Sequence, residues 1–197
     1  MTNVTLASRS ATRSAILKNA GVAFEVEASD VDEDKAKRGF LERGMAPVDI
    51  AAALADLKAV AVSKNRPGLV IGSDQTLDVG GVLFDKAANL REARERLIAL
   101  RGRSHALHAG LAIAERGAVV WRQTRSAHLT MRRFSDAFLD RYLERNGGGI
   151  LSSVGCYQLE GEGIQLFEKI DGDFFTILGL PLFGLLEFLR RAGVMVS

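Results

Sequence analysis

The apolar residues of this chain repeat at two spacings, which predict strands interleaved with helices. Short alternating or continuous apolar runs indicate strands, whereas apolar residues three and four positions apart indicate helices. Strands are predicted over residues 1–8, Phe24–Glu27, 69–74, 104–114, 117–131 and 164–170. Helices are predicted over 10–20, Ile50–Lys64, Asn89–Leu100 and from a cap at Ser135 to Arg145, with a terminal helix after Gly179-Leu180-Pro181.

Several predicted strands follow one another without an intervening helix, and one pair is joined by Gly80-Gly81. Paired glycines supply the positive φ angles of a tight hairpin turn. The pattern therefore favours an α/β fold with a mixed central sheet over a doubly wound parallel one. The charged, glycine-punctuated segment 30–45 is expected to open onto a cleft or solvent. We expect residues 1–197 to form a single domain, a length that can bury one good core.

Composition and charge exclude several classes of protein. The net charge of +2 is too small to indicate a nucleic-acid partner, and the chain has no basic cluster interleaved with aromatic residues. No apolar run is long enough to cross a membrane, and no signal peptide is recognisable. The only cysteine, Cys156, rules out a disulfide framework and suits the reducing cytoplasm; it is interpreted as a small packed residue.

The first candidate for chemistry is Asp74, which follows the apolar run Leu69-Val70-Ile71. This places it at the carboxyl end of the predicted strand, where open α/β sheets bind ligands. A buried carboxylate is costly unless it is paired with a cation or holds a metal ion. The alternative is an aspartate that caps the next turn, and the residues of this segment leave the two readings open.

A second candidate lies at the start of the chain, where a strand leads into Ser8, Ser10 and Arg13 and then into a helix. Helix N-termini bind anions through free N–H groups, and hydroxyl and guanidinium donors suit phosphate. An N-cap serine beside solvated arginines is the alternative. One strand end suited to anions and another suited to a cation together point to a metal-bound polyphosphate.

Further charged residues supply the remaining groups that such a ligand needs. Glu33, with Asp74, would make a minimal site for Mg²⁺, which takes one or two carboxylates plus substrate phosphates. A solvated acidic turn is the alternative for Glu33. Lys58 lies on an otherwise apolar helix and either extends outward or points into a cleft. Lys86 follows the glycine hairpin, next to Asp85, which is a further candidate carboxylate. The three histidines lack metal-binding spacing and are interpreted as structural or exposed.

Taken in chain order, these motifs resemble the Maf family of nucleotide pyrophosphatases from about residue 4 to about residue 191. Each motif is weak alone, but the ordered set is specific. The motifs are Leu6-Ala7-Ser8-x-Ser10-x-x-Arg13, Val31-Asp32-Glu33, Leu54-Ala55-x-x-Lys58-Ala59, Ile71-Gly72-Ser73-Asp74-Gln75, Lys86, Leu100-Arg101-Gly102-Arg103-Ser104-His105, Glu160-Gly161 and Gly179-Leu180-Pro181-Leu182.

The resemblance implies a fold related to the inosine triphosphate pyrophosphatases, with flanking helices and two lobes around a cleft. It also implies cleavage of a nucleoside triphosphate to the monophosphate and pyrophosphate, with a divalent cation, Mg²⁺ or Mn²⁺, held by Asp74 and Glu33. Asp74 matches the proton acceptor and Glu33 the second acid. The matching phosphate-facing residues are Ser8, Ser10, Arg13, Lys58 and Lys86. A homodimer is expected by resemblance.

The resemblance also points to a branch. Thr12, Gln75 and Glu160 fall where the family sets base specificity, and Gly-Ser-Asp-Gln with Glu160-Gly161 resembles the 7-methyl-GTP pyrophosphatases. A carboxylate accepts hydrogen bonds from the N1–H and amine of guanine, donors that thymine and uracil lack together. Thr12 replaces a larger residue and Ala87 a proline. The alternatives are a dTTP/UTP pyrophosphatase and a non-catalytic nucleotide-binding regulator of cell division.

Overall fold

One mixed sheet organises the chain. The computed structural model describes residues 3–196, so residues 1–2 of the first predicted strand and residue 197 lie outside it. The strands are β1 (Val4–Leu6), β2 (Glu25–Val26), β3 (Leu69–Val79), β4 (Val82–Phe84), β5 (Ser104–Glu115), β6 (Ala118–Met131) and β7 (Phe167–Asp171). Their order is β2-β1-β3-β5-β6-β7, with β4 paired to β3. The pairs of β1 are parallel and the others antiparallel, which confirms the mixed sheet.

Seven helices flank this sheet in the described residues. They are α1 (Ala11–Asn19), α2 (Glu33–Glu42), α3 (Pro47–Ser63), α4 (Leu90–Leu100), α5 (Asp136–Asn146), α6 (Phe174–Ile177) and α7 (Leu182–Arg191), with 3₁₀ turns over Gly147–Ser152 and Glu162–Leu166. The caps predicted at Asn89 and Ser135 are confirmed, since their side chains accept hydrogen bonds from the first turns of α4 and α5, and Ser10 caps α1 in the same way. No helix in residues 3–196 is long and apolar enough to cross a membrane.

Two predicted strands have other bounds in the structure, and one helix is missing from the prediction. The segment 30–45 lines the cleft, as expected, but it contains the helix α2, which has no buried residue and few apolar residues to reveal it. The strand predicted over 164–170 begins only at Phe167, after a 3₁₀ turn. The strand predicted over 69–74 continues to Val79, so Asp74 lies inside β3 and not at its end. It does lie beyond β1, whose last partner on β3 is Ile71.

The long strands β3 and β5 run through two hydrophobic cores. One core joins Leu69 and Ile71 of β3 to α1 and α7, and the other joins Leu77 and Val79 to α4 and α5. Between the two pairs, the same face of β3 carries the polar residues Ser73 and Gln75. Because apolar packing stops there, a cleft opens between the two lobes.

On the opposite face of the sheet, α3 lies unusually close to β3 and β5. A Cβ atom on Gly72 would lie 2.3 Å from the carbonyl oxygen of Ala55, and one on Gly110 would lie 2.2 Å from that of Ala51. Two glycines on the sheet and alanines on the helix therefore allow the backbones to approach. This close packing sets the position of Lys58, which α3 carries.

We expect the substitution Gly110→Ala to destabilise the protein by about 3 kcal/mol, because the added methyl group meets backbone atoms that cannot rotate away. Urea unfolding measures the effect. Gly148→Ala is the matched control, since a Cβ there would meet nothing within 4 Å. We expect that control to change the free energy of unfolding by less than about 0.5 kcal/mol. Equal stability of the two variants would contradict the close packing of α3.

The histidines are structural or exposed, as the sequence indicates. His105 is buried, and its Nε2 lies 2.8 Å from the hydroxyl of Tyr157. His108 is buried between Ser126 and Asp78, and His128 is exposed. Cys156 is fully buried, which agrees with its interpretation as a packed residue. Burial lowers the pKa of His105 from 6.5 to about 4, so the folded protein keeps this imidazole neutral in weak acid.

In the unfolded chain His105 takes up a proton near pH 6.5, whereas in the folded protein it does so only near pH 4. The free energy of unfolding should therefore fall as the pH falls between these two values. The loss attributable to His105 should reach about 3 kcal/mol at pH 4. Urea unfolding at pH 7 and pH 4.5 measures it. His105→Phe cannot titrate, so the variant should lose correspondingly less stability across this window. An identical loss in both proteins would rule out His105 as its source.

Candidate active site

The side chain of Lys58 is buried at the base of the cleft and joins two carboxylates from other elements. Its Nζ lies 2.6 Å from Oδ1 of Asp74 on β3 and 2.9 Å from Oε2 of Glu33 at the first turn of α2. Of the two readings left open for Lys58, the structure supports the one that points inward. Asp74 is buried and paired with a cation, so its reading as a simple turn cap is wrong.

The start of α1 forms the adjacent wall. Ser8 follows β1, and its hydroxyl accepts hydrogen bonds from the N–H of Ser10 and from Nη1 of Arg13. Ser10 is the N-cap of α1, and its hydroxyl accepts from the N–H of Arg13. The predicted strand, polar turn and helix start are therefore present, and the start of α1 lines the same cleft as Lys58 and Asp74.

Arg13 is held more tightly than a solvated arginine would be. Its Nε donates to the carbonyl of Gly179 at 2.8 Å, and its Nη1 donates to the carbonyl of Ser73 at 2.9 Å. Burial lowers the pKa of Arg13, although the nearby charges of Asp74 and Glu33 raise it in part. The guanidinium of Arg13 thus links α1 by hydrogen bonds to β3 and to the segment before α7.

Ser73 is a further functional candidate, which the sequence shows only as part of the motif around Asp74. Its buried hydroxyl lies 2.8 Å from the carbonyl of Gly179 and 3.0 Å from that of Gly110. Gly179, at a positive φ of 86°, turns its carbonyl toward both Ser73 and Arg13. In the sequence, Ser73 could have been found as a small polar residue between two apolar stretches on the same face of β3.

Gln75 lies on the same face of β3 as Ser73. Its amide nitrogen donates to the carbonyls of Thr176 and Ile177, at 3.0 and 2.9 Å. Both amide hydrogens are therefore used within the protein, and only the side-chain oxygen remains to accept a hydrogen bond from a ligand. The sequence does not show which end of the Gln75 amide is free to contact a ligand.

Another charged pair connects α2 to the rim of the cleft. Lys37 forms an ion pair with Asp85 and lies 3.5 Å from Asp34. Burial opposes the charge of Lys37, but its hydrogen bond with Asp85 and the neighbouring acids raise its pKa overall. Asp85, the further candidate carboxylate, thus pairs with Lys37 and not with Lys58.

The cleft has a volume of about 1470 Å³, and every residue predicted for catalysis, phosphate binding or base recognition lines it. The lining includes Ser8, Ser10, Thr12, Arg13, Glu33, Lys58, Asp74, Gln75, Lys86 and Glu160. Lys86 and Glu160 are exposed at its edges. In the described residues, no group of three or more histidine, cysteine or acidic side chains is arranged to hold a metal ion. Asp74 and Glu33, the carboxylate pair predicted from the sequence, share Lys58 as their partner.

Comparison with known proteins shows which family this chain belongs to. Residues 3–192 match the family model described as Maf-like protein. The chain belongs to the Maf family. It is 60% identical to a nucleoside triphosphate pyrophosphatase of Caulobacter vibrioides, over 99% of this chain and 98% of that protein. It is 49% identical to a 7-methyl-GTP pyrophosphatase of Brucella abortus, over 94% of each chain.

Among solved structures, a HAM1 protein from Coxiella burnetii aligns over 68% of this chain and 75% of that one, with a TM-score of 0.41 and 16% identity. Membership of the Maf family confirms the resemblance found in the ordered motifs. The roles of individual residues stay predictions.

Proposed function

We propose that this Maf-family protein hydrolyses a nucleoside triphosphate between the α- and β-phosphates, giving the monophosphate and pyrophosphate. The observation that carries the proposal is the buried contact of Lys58 with Asp74 and Glu33, beside the start of α1. A cation between two acids, next to an anion-binding helix start, suits phosphoryl chemistry. The names of the relatives in Caulobacter and Brucella support the same activity.

In the proposed reaction, the phosphates lie against the N–H groups of α1 and the side chains of Ser8, Ser10, Lys58 and Lys86. A water molecule attacks the α-phosphorus, and Asp74 takes its proton as general base. The new bond joins the water oxygen to the α-phosphorus, and the bond from that phosphorus to the bridging oxygen breaks. Pyrophosphate leaves with the bridging oxygen. The cationic side chains stabilise the negative charge that develops on the departing oxygens.

The donor set fits a divalent cation such as Mg²⁺ or Mn²⁺. Asp74 and Glu33 are hard oxygen ligands, and Mg²⁺ in such sites takes one or two carboxylates and completes its shell with water and substrate phosphates. We propose that these two residues hold the metal. When bound, it supplies charge neutralisation for the polyphosphate and a more acidic water.

A guanine base, and 7-methylguanine in particular, suits the part of the cleft that Gln75 and Glu160 line. Gln75 offers only its carbonyl oxygen, and Glu160 offers carboxylate oxygens. Two acceptors complement the N1–H and amine of guanine. The positive charge of methylated guanine adds attraction to Glu160. Thr12, on α1, adds little surface for stacking, so we expect modest discrimination.

The proposed activity is tested by a nucleotide panel with Mg²⁺ or Mn²⁺, following pyrophosphate and orthophosphate separately. The panel contains 7-methyl-GTP, GTP, dTTP, UTP and CTP, ranked by kcat/KM. Release of pyrophosphate supports the proposal, and release of orthophosphate contradicts the site of cleavage. Tight nucleotide binding without turnover would favour a regulatory protein. A preference for dTTP or UTP would overturn only the base assignment.

The double substitution Glu160→Gln with Gln75→Thr should shift preference toward pyrimidines. When a pyrimidine occupies a site built for guanine, the acceptors of that site lack hydrogen-bond donors, which weakens binding. Replacing these acceptors removes the penalty against pyrimidines. We expect the ratio of kcat/KM for 7-methyl-GTP over dTTP to fall about tenfold. Glu162→Gln, a neighbouring acid absent from the cleft lining, is the control and should keep the original ratio. An unchanged ratio in the double variant would show that other residues read the base.

A further inference from the structure

Lys58 occupies the place between the same two oxygens that would hold a divalent cation. Its ammonium lies within hydrogen-bonding distance of Asp74 and Glu33, and only 6% of the residue is exposed. Asp74 has no other hydrogen-bonding side chain within reach among the described residues. Among the described residues, Lys58 is therefore the sole side-chain partner of the buried carboxylate of Asp74. Its ammonium neutralises the negative charge that would otherwise attract a metal ion.

A metal ion and the ammonium cannot both use this position. Metal–oxygen distances for Mg²⁺ are about 2.0–2.1 Å, so a shared position would bring the two cations into close contact. Repulsion between cations is strong beside Asp74, where only 12% of the carboxylate side chain is exposed. Moving α3 away would break its close packing on Gly72 and Gly110. The flexible side chain of Lys58 moves instead.

We propose that Lys58 is an internal counter-ion that occupies the carboxylate pair and keeps divalent metal out until a polyphosphate draws its ammonium away. Phosphate oxygens offer the ammonium a new partner, and the freed carboxylates then accept the metal. Metal and nucleotide therefore bind with positive coupling, each favouring the other. The role of the nucleotide rests on the proposed function, but the exclusion of metal by Lys58 does not.

Lys37 provides a matched comparison within the same cleft. It also contacts two carboxylates, those of Asp85 and Asp34. These partners are largely exposed, with 62% and 80% of their side chains accessible, so removing Lys37 does not uncover a buried acid. The two lysines carry the same charge and line the same cleft. A general change of electrostatic potential would affect metal binding through either of them.

The test is titration of the full-length protein with MnCl₂ in the absence of nucleotide, followed by electron paramagnetic resonance of free Mn²⁺. We expect weak binding by the wild type and at least about tenfold tighter binding by Lys58→Met, which keeps a long side chain but removes the charge. Lys37→Met should stay within about twofold of the wild type, since its partners are solvent-screened. Addition of Mn²⁺ should raise the Tm of Lys58→Met and leave that of the wild type nearly unchanged.

Each other outcome counts against the proposal. Tight Mn²⁺ binding by the wild type without nucleotide overturns it, whatever the variants do. So does an unchanged affinity in Lys58→Met, or an equal gain in both lysine variants. If Lys58→Met does not fold, Lys58→Gln, which can still donate a hydrogen bond to Asp74, takes its place with the same expectation. The proposed function fails separately, through absence of pyrophosphate release by the wild type.

Discussion

The substitution Asp74→Asn should abolish hydrolysis and leave the fold intact. The amide has nearly the same shape as the carboxylate, and Lys58 keeps its contact with Glu33. The amide cannot take up the proton of the attacking water, and it is a poor ligand for a hard cation. We expect kcat to fall about a thousandfold, within the range that general-base catalysis contributes. Pyrophosphate release under saturating nucleotide measures it.

Asp78→Asn is the matched control for this prediction. Asp78 lies on the same strand and face, but its carboxylate accepts from the N–H of Gly81 and faces His108, and it does not line the cleft. Its substitution should lower stability slightly and leave kcat near the wild-type value. Near-normal turnover in Asp74→Asn, with unchanged metal dependence, would show that another group accepts the proton.

The two faces of β3 explain why the sequence pointed to Asp74 but placed it wrongly. The apolar run ends at Ile71 because the strand then enters the cleft. From there, Ser73 and Gln75 bind backbone carbonyls on one face, and Asp74 meets Lys58 on the other. A strand whose middle residues serve a site loses the apolar alternation by which strands are recognised. The functional signal and the misplaced strand end therefore have one cause.

The helix α2 was missed for a related reason. Helix periodicity reports burial of one face, and α2 buries none of its residues. The local signals were present, since Asp32 caps the helix and acids follow in the first turn. The sequence also left Lys58 with two orientations, because the choice depends on the close approach of α3 to Gly72 and Gly110. Such contacts between distant segments have no periodic signature.

Replacing Arg13 with lysine should lower both the stability of the protein and its kcat/KM. The resemblance assigns it to phosphate, but the structure directs its Nε and Nη1 to Gly179, Ser73 and Ser8. A lysine would preserve the positive charge, but its single ammonium cannot reproduce donors that diverge in the guanidinium plane. We expect Arg13→Lys to destabilise the protein by about 2 kcal/mol, as buried carbonyls lose a charged donor.

The same substitution should also lower kcat/KM about a hundredfold, because Arg13 links the start of α1 to β3 and a small displacement of such a support is amplified at the reacting atoms. Urea unfolding and pyrophosphate release measure the two effects. Arg9→Lys is the control, since Arg9 is exposed on the cleft wall and lysine retains its charge there. If Arg13→Lys matched this control in both measurements, Arg13 would act through its charge alone. A loss of both stability and kcat/KM in Arg13→Lys, with neither in Arg9→Lys, would instead make Arg13 the support that positions the phosphate-binding start of α1 against Asp74.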